Sequence, residues 1–170
     1  AVRSLSGRCV MVWYVLATVV SVGPYRLVKL TCRRRVIQWR RSDGQGEAPS
    51  FKLPGGPHYK QRPFLVRMTE CQRVTVRDVV LLNSPMWVQH YLACDDVLLD
   101  GLTVHSLVNR NNDGIDLDCC QRVRVANCNI TSGDDAIVLK STAPRPCRAI
   151  TITNCRLSSL CNALKCGTES

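Results

Sequence analysis

Four eleven-residue segments carry the same apolar pattern: CQRVTVRDVVL (71–81), CDDVLLDGLTV (94–104), CQRVRVANCNI (120–130) and CRAITITNCRL (147–157). Their starts lie 23, 26 and 27 residues apart, and a period in the twenties is the signature of a solenoid. Positions 1, 4, 6, 9 and 11 are apolar in every copy, from Cys71, Val74, Val76, Val79 and Leu81 to Cys147, Ile150, Ile152, Cys155 and Leu157. Alternation at 4 and 6 describes a strand with one buried face. The step from 6 to 9 breaks that alternation, so the chain bends there. Asp78, Gly101, Asn127 and Asn154 occupy the bend, and such residues tolerate turn backbone.

A third strand follows in each repeat: WVQHY (87–91), GIDLD (114–118), AIVLK (136–140) and ALKCG (163–167). Aligned, Val88, Ile115, Ile137 and Leu164 form one inward column, and His90, Leu117, Leu139 and Cys166 another. Gln89, Asp116, Val138 and Lys165 then face outward, followed by Tyr91, Asp118, Lys140 and Gly167. Three short strands per turn predict an all-β parallel β-helix, in which each turn buries its apolar row only by stacking on its neighbours. A helical repeat fails on the period of two, and a sandwich on the absence of hairpin spacing.

This register also places the cysteines. Cys71, Cys94, Cys120 and Cys147 share one repeat position and should stack as a ladder, with Cys128 and Cys155 in a second column. Buried free Cys behaves as a small hydrophobe. A disulfide framework is the alternative for a secreted chain. The 11 cysteines contain no CxxC pair, so zinc is not expected. His90, in an inward column, reads as a packed core histidine.

Charge divides the chain. Residues 1–70 hold 13 Lys/Arg against 3 Asp/Glu, whereas residues 71–170 hold 10 of each. No nucleic-acid-binding motif accompanies the excess, so no nucleic-acid partner is expected. Arg3 and Arg8 precede an apolar run from Cys9 to Val22, the pattern of a secretory signal. The run falls short of the roughly 20 residues a membrane span needs, so no stable membrane insertion is expected. An early β rung and a non-native upstream stretch are the other readings. Residues 1–42 are left unassigned, and residues 43–170 read as a partial β-helix catalytic domain.

The acidic residues cluster. Asn111-Asn112-Asp113-Gly114 and Gly133-Asp134-Asp135-Ala136 both lead into a third strand. Asp113 and Asp135 are 22 residues apart and occupy the same column, so they should sit side by side, about 4.8 Å apart across rungs. Asp134 lies one residue away at the corner. Carboxylates brought together this way hold a metal, a shared proton or a polarised water. Glycoside hydrolysis with inversion uses such groups, with acid and base ~6.5–9.5 Å apart. An acidic turn cluster and a calcium site are the competing readings.

The chain resembles the family 28 glycoside hydrolases, the polygalacturonase-like enzymes. The resemblance runs from about Asp43 to the end and is carried by SDGQGE (42–47), RPFLV (62–66), NSPMW (83–87), NNDGIDLD (111–118), SGDDAIVLKS (132–141) and CNALKCGTES (161–170). It implies a right-handed β-helix, in line with the bias of parallel crossovers. It also implies inverting hydrolysis of galacturonic-acid polymers, with neither cofactor nor metal. By motif, Asp134 would be the general acid, Asp113 and Asp135 would activate water, and Asp116 would support them on the same face.

There are two departures from the family pattern. Its Gly-His-Gly is replaced on the next rung by Asn162 and Ala163, which makes Asn162 a candidate substrate contact. Its Arg-x-Lys and Tyr would lie beyond Ser170, which gives the expectation of a C-terminally truncated fragment. Lys140 and Lys165 face the same way as the aspartates, where they could pair with substrate uronates or neutralise those aspartates. The resulting expectation is a secreted or periplasmic monomer acting on pectin-type polysaccharide. The alternatives are a pectate lyase or uronan epimerase, and a non-catalytic carbohydrate-binding β-helix.

Overall fold

The structure is a computed structural model that describes residues 16–22, 25–31, 35–37, 41–44 and 62–167. Among these residues every regular element is a strand. Strands β1 (Leu16–Val22) and β2 (Tyr25–Thr31) are followed by β3 (Arg35–Ile37) and β4 (Arg41–Asp43). The next set is β5 (Val66–Thr69), β6 (Gln72–Arg77) and β7 (Val80–Leu82), then β8 (Gln89–Leu92), β9 (Asp95–Asp100) and β10 (Thr103–Ser106). The third set is β11 (Ile115–Asp118), β12 (Gln121–Ala126) and β13 (Asn129–Ser132). The stack ends with β14 (Ile137–Lys140), β15 (Arg148–Thr153), β16 (Arg156–Ser159) and β17 (Leu164–Cys166).

Each strand hydrogen-bonds to its counterpart one repeat away. The result is three sheets: β1-β2-β5-β8-β11-β14-β17, β15-β12-β9-β6-β3 and β16-β13-β10-β7-β4. All pairings are parallel except β1 with β2, so the chain forms a parallel β-solenoid of three sheets. β2, β3 and β4 pair with β5, β6 and β7, so strands before residue 43 also join the stack. The last seven residues of the Cys9–Val22 run form β1, and the rest of that run lies outside the described residues. No helix among the described residues is long and apolar enough to cross a membrane.

The apolar columns form the interior. Val74, Val97 and Val123 stack on one another, as do Val76, Leu99 and Val125, and all six are at most 2 % exposed. Each fully buried side chain of this kind contributes about 1.5–3 kcal/mol. The thiols of Cys71, Cys94 and Cys120 line the interior, fully buried, with Cys147 half-buried above them. Each donates to a backbone carbonyl, as Cys120 Sγ does to Tyr91 O at 3.2 Å. The nine cysteines among the described residues are free thiols.

The expected corner is present. Asp78, Gly101, Asn127 and Asn154 adopt φ of 53°, 66°, 56° and 50°, the left-handed region that turns a chain sharply. At Gly101 a Cβ would meet Asp78 Oδ1 at 2.6 Å, so a larger residue at that rung would require the Asp78 carboxyl to swing aside. Asn154 Nδ2 donates to Asn127 Oδ1 and Asn127 Nδ2 to Asp100 Oδ1, at 2.6 and 2.8 Å, tying the corner along the stack.

One register differs from expectation. Gln89 and Tyr91, not Val88 and His90, join the inward columns with Ile115 and Leu117, and His90 lies beside Asp116 on the outer face. A slip of one residue exchanges the two faces of a strand. The core accepts Gln89 because its Oε1 receives the Tyr91 hydroxyl at 2.9 Å, and both side chains are fully buried. His90 is buried all the same, packed between Phe64 and Trp87 with ring centroids 5.3 and 5.2 Å away.

Candidate active site

The corner that leads into the first sheet gathers the predicted carboxylates. Val88 N donates to Asp113 O at 2.7 Å, Gly114 N to Asp135 O at 2.9 Å, and Ala136 N to Asn162 O at 2.8 Å. These bonds put Trp87, Asp113, Asp135 and Asn162 in one column on successive turns. Asp134 precedes Asp135 and is the most exposed of the three aspartates, whereas Asp113 and Asp135 are 4 % and 2 % exposed.

Small residues permit this close stacking. A Cβ on Gly114 would meet Ala136 O at 2.5 Å and Ile130 Cγ2 at 2.7 Å. Hydroxyls fix the corner at Asp134, whose carbonyl accepts from Ser132 Oγ at 2.7 Å and from Ser159 Oγ at 2.6 Å. Asp134 Oδ1 in turn accepts from Asp135 N at 3.0 Å.

Two residues that the sequence reading gave no separate role shape the turn before Asp113. Asn112 is fully buried, and its Nδ2 donates to Ser84 O and Met86 O at 2.7 and 3.0 Å. Its Oδ1 accepts from Asn109 N at 2.8 Å. Buried Arg62 donates to Pro85 O and Arg110 O, each at 2.7 Å, and to Asn111 Oδ1 at 2.8 Å. The available signal was their place inside NNDG and RPFLV, motifs otherwise noted only for family likeness.

The electrostatics separate the three carboxyls. Burial, then the charge of Asp134, pushes the Asp113 carboxyl up to about 7; Lys140 opposes the rise and Asp135 adds to it. Asp113 Oδ1 is buried with no hydrogen-bond partner among the described residues, which makes its ionised form costly. Asp135 is placed differently. Its Oδ1 accepts from Asn162 Nδ2 at 2.6 Å and its Oδ2 from Lys165 Nζ at 2.7 Å. The bond to Asp135 raises the Lys165 ammonium above its ordinary value.

The remaining predicted residues lie beside this group. Asp116 is fully buried and pairs with Lys140 Nζ at 3.3 Å, and that ammonium sits 3.8 Å above the Trp87 ring. Both lysines therefore engage aspartates. Next to them His90 Nε2 lies 3.3 Å from Asp118 Oδ2. Burial alone would push Asp118 up. Hydrogen bonds from His90, from the Thr142 hydroxyl and amide, and from Cys119 instead hold it well below the usual carboxylate range. Burial pulls the His90 imidazole below its ordinary value, favouring the neutral ring.

Asp134, Asp135 and exposed Cys161 bring potential ligand atoms within 4.8 Å of one another. The Lys165 ammonium already occupies one Asp135 oxygen, and a cation bound there would have to displace it. The arrangement instead suits proton transfer: one buried carboxyl with an unpartnered oxygen, one buried carboxyl held by donors, and one more exposed carboxyl within a single corner.

Known proteins resemble this chain in sequence and in fold. Residues 36–159 match the sequence model described as glycosyl hydrolases family 28. A probable polygalacturonase of Vitis vinifera is 35 % identical over 100 residues, covering 58 % of this chain and 20 % of that protein. An exopolygalacturonase of Platanus acerifolia is 32 % identical over 98 residues, covering 56 % of this chain and 26 % of that protein. The crystal structure of a hyperthermoactive exopolygalacturonase from Thermotoga maritima superposes with a TM-score of 0.53 at 28 % identity, over 64 % of this chain and 26 % of that one. The chain thus spans about a fifth to a quarter of the length of these relatives. With the family match extending over most of the residues, on a coil that stacks its aspartates turn upon turn, the chain belongs to glycosyl hydrolase family 28.

Proposed function

We propose that the protein hydrolyses the glycosidic bonds of pectin-type, galacturonic-acid-containing polysaccharide with inversion. The observation that carries this reading is the corner itself: Asp113 and Asp135 on neighbouring turns, with Asp134 adjoining. Asp134, the most accessible of the three, donates its proton to the leaving oxygen. Asp113 and Asp135 hold the attacking water on the opposite side of the sugar ring. This division follows the chemistry of inverting enzymes, where one carboxyl acts as acid and another activates water. Asp116 and Lys140 brace the floor of the site through their ion pair. The polygalacturonase relatives support a uronate polymer as substrate, and such a substrate fits a secreted or periplasmic enzyme.

The direct test is reducing-sugar release from polygalacturonate and from rhamnogalacturonan by the intact protein. Release from at least one polymer is expected, with the first product emerging as the inverted anomer by NMR. Asp134→Asn should lower kcat by about 100-fold or more, the usual worth of a positioned proton donor. An intact, folded protein that releases nothing from either polymer would remove the pectin assignment.

A further inference from the structure

The two carboxyls assigned to water are held in opposite ways. Both oxygens of Asp135 already accept a short hydrogen bond, one from the amide of Asn162 and one from the ammonium of Lys165. A carboxylate offers about four lone-pair sites, and two of them are taken by donors that favour the charged form. Asp113, one turn earlier, has no such donor on its buried Oδ1. The charges that act on it are those of Asp134, Lys140 and Asp135.

We propose that Lys165 and Asn162 are positioning residues that clamp Asp135 as a standing anion, so that Asp113 alone takes the proton of the attacking water. The inference rests on the hydrolytic reading of the three aspartates and deepens it. In the step, a water O–H bond breaks and its proton passes to Asp113. The water oxygen bonds to the anomeric carbon. The glycosidic C–O bond breaks, and the leaving oxygen takes its proton from Asp134. Asp135 ends the step as it began, a carboxylate aligning the water.

Three observations support this division. A buried carboxyl without donors binds a proton more tightly than one held by donors; both are buried, but Asp113 Oδ1 has no donor whereas both Asp135 oxygens do. Burial has raised it to about 7, close to neutral working conditions, where a general base is most effective. Lys165 commits one of its three N–H donors to the almost wholly buried Asp135, at 2.7 Å. The clamp comes from the rung on which Asn162 and Ala163 stand.

The test is the pH profile of the intact protein and of Lys165→Met. Without the ammonium, the Asp135 charge acts on Asp113 uncompensated. The limb of kcat/KM that reports the base should then move up by about half a pH unit or more. We expect kcat to fall about tenfold, KM for polygalacturonate to change less than about threefold, and Lys165→Arg to restore the limb. Asn162→Ala, at an exposed position, should shift the limb the same way through the other donor. An unmoved limb with KM raised about tenfold on uronate polymer alone would overturn the proposal and assign Lys165 to substrate binding.

A second measurement does not depend on turnover: carbon-13 NMR titration of the aspartate carboxyls, assigned with Asp113→Asn. An upward move of the Asp113 titration in Lys165→Met supports the clamp even where no polymer is cleaved, in which case only the hydrolytic reading falls. An Asp113 titration that ignores both Lys165→Met and Asn162→Ala overturns the clamp, whatever the enzyme cleaves.

Discussion

Replacing Asp113 by Asn should change how stability depends on pH, with a magnitude set by the burial of that side chain. Asp113 is 4 % exposed, and burial followed by the charge of Asp134 raises its carboxyl from 3.8 to about 7. In the unfolded chain the same group loses its proton near pH ~3.9. Between those values the folded protein carries one proton more than the unfolded chain, so stability falls as pH rises from about 4 to about 7. Below that window both states are protonated, and above it neither is. A span of about three pH units, at ~1.4 kcal/mol each, makes the full loss about 4 kcal/mol. Asn cannot ionise and escapes this loss. Urea unfolding at about pH 5, 6.5 and 8 should therefore show Asp113→Asn gaining on the wild type as pH rises, by about 3 kcal/mol, since roughly the first pH unit of the window lies below pH 5. If the two stabilities run parallel across that range, Asp113 does not titrate within it and the reasoning fails.

Two other substitutions probe the frame of the site. Gly114→Ala drives a methyl group against Ala136 O and Ile130 Cγ2, at 2.5 and 2.7 Å. Overpacking of this kind costs about 1–3 kcal/mol. Because Gly114 N bonds to Asp135 O, kcat should fall together with the melting temperature, which calorimetry reads directly. Asn112→Ala leaves Ser84 O and Met86 O without their donor; each buried orphan costs about 1–3 kcal/mol. The expected result is lower resistance to thermal unfolding together with a loss of activity, since Asn112 adjoins Asp113.

Much of this architecture is written in the chain. The apolar positions of the repeat mark the stacked interior, and the bend at Asp78, Gly101, Asn127 and Asn154 is visible as a break in alternation. A second break carried the same message. Repeat positions 1 and 4 are both inward, a spacing that a regular strand cannot provide. Arg73, Asp96, Arg122 and Ala149 resolve it by adopting φ of 54°, 54°, 54° and 55°. Apart from Asp96, their side chains give no hint of this, because Arg and Ala are not turn formers. The register of β8 was harder to read because its core residues are Gln89 and Tyr91, a polar pair joined by one hydrogen bond. Alternation of hydrophobicity cannot reveal a buried glutamine.

The candidate site divides in the same way. The column shared by Asp113 and Asp135 follows from counting residues between corners. The pairing of Lys165 with Asp135 and of Lys140 with Asp116 does not, because either ammonium can reach several acceptors from its place on the face. The grip of Arg62 on the turn before Asp113 spans 48 residues to Arg110, two turns of the coil. No local pattern records such a contact.

The column Trp87, Asp113, Asp135 and Asn162 draws one side chain from each of four consecutive turns, while the backbone bonds beneath it take no account of which side chain each turn supplies. Descent can therefore revise such a cleft one storey at a time. Exchanging the occupant of a single storey changes what that storey offers a polymer lying along the axis and leaves the spacing of the others intact. In this chain one storey offers Asn162, and the two before it offer the aspartates.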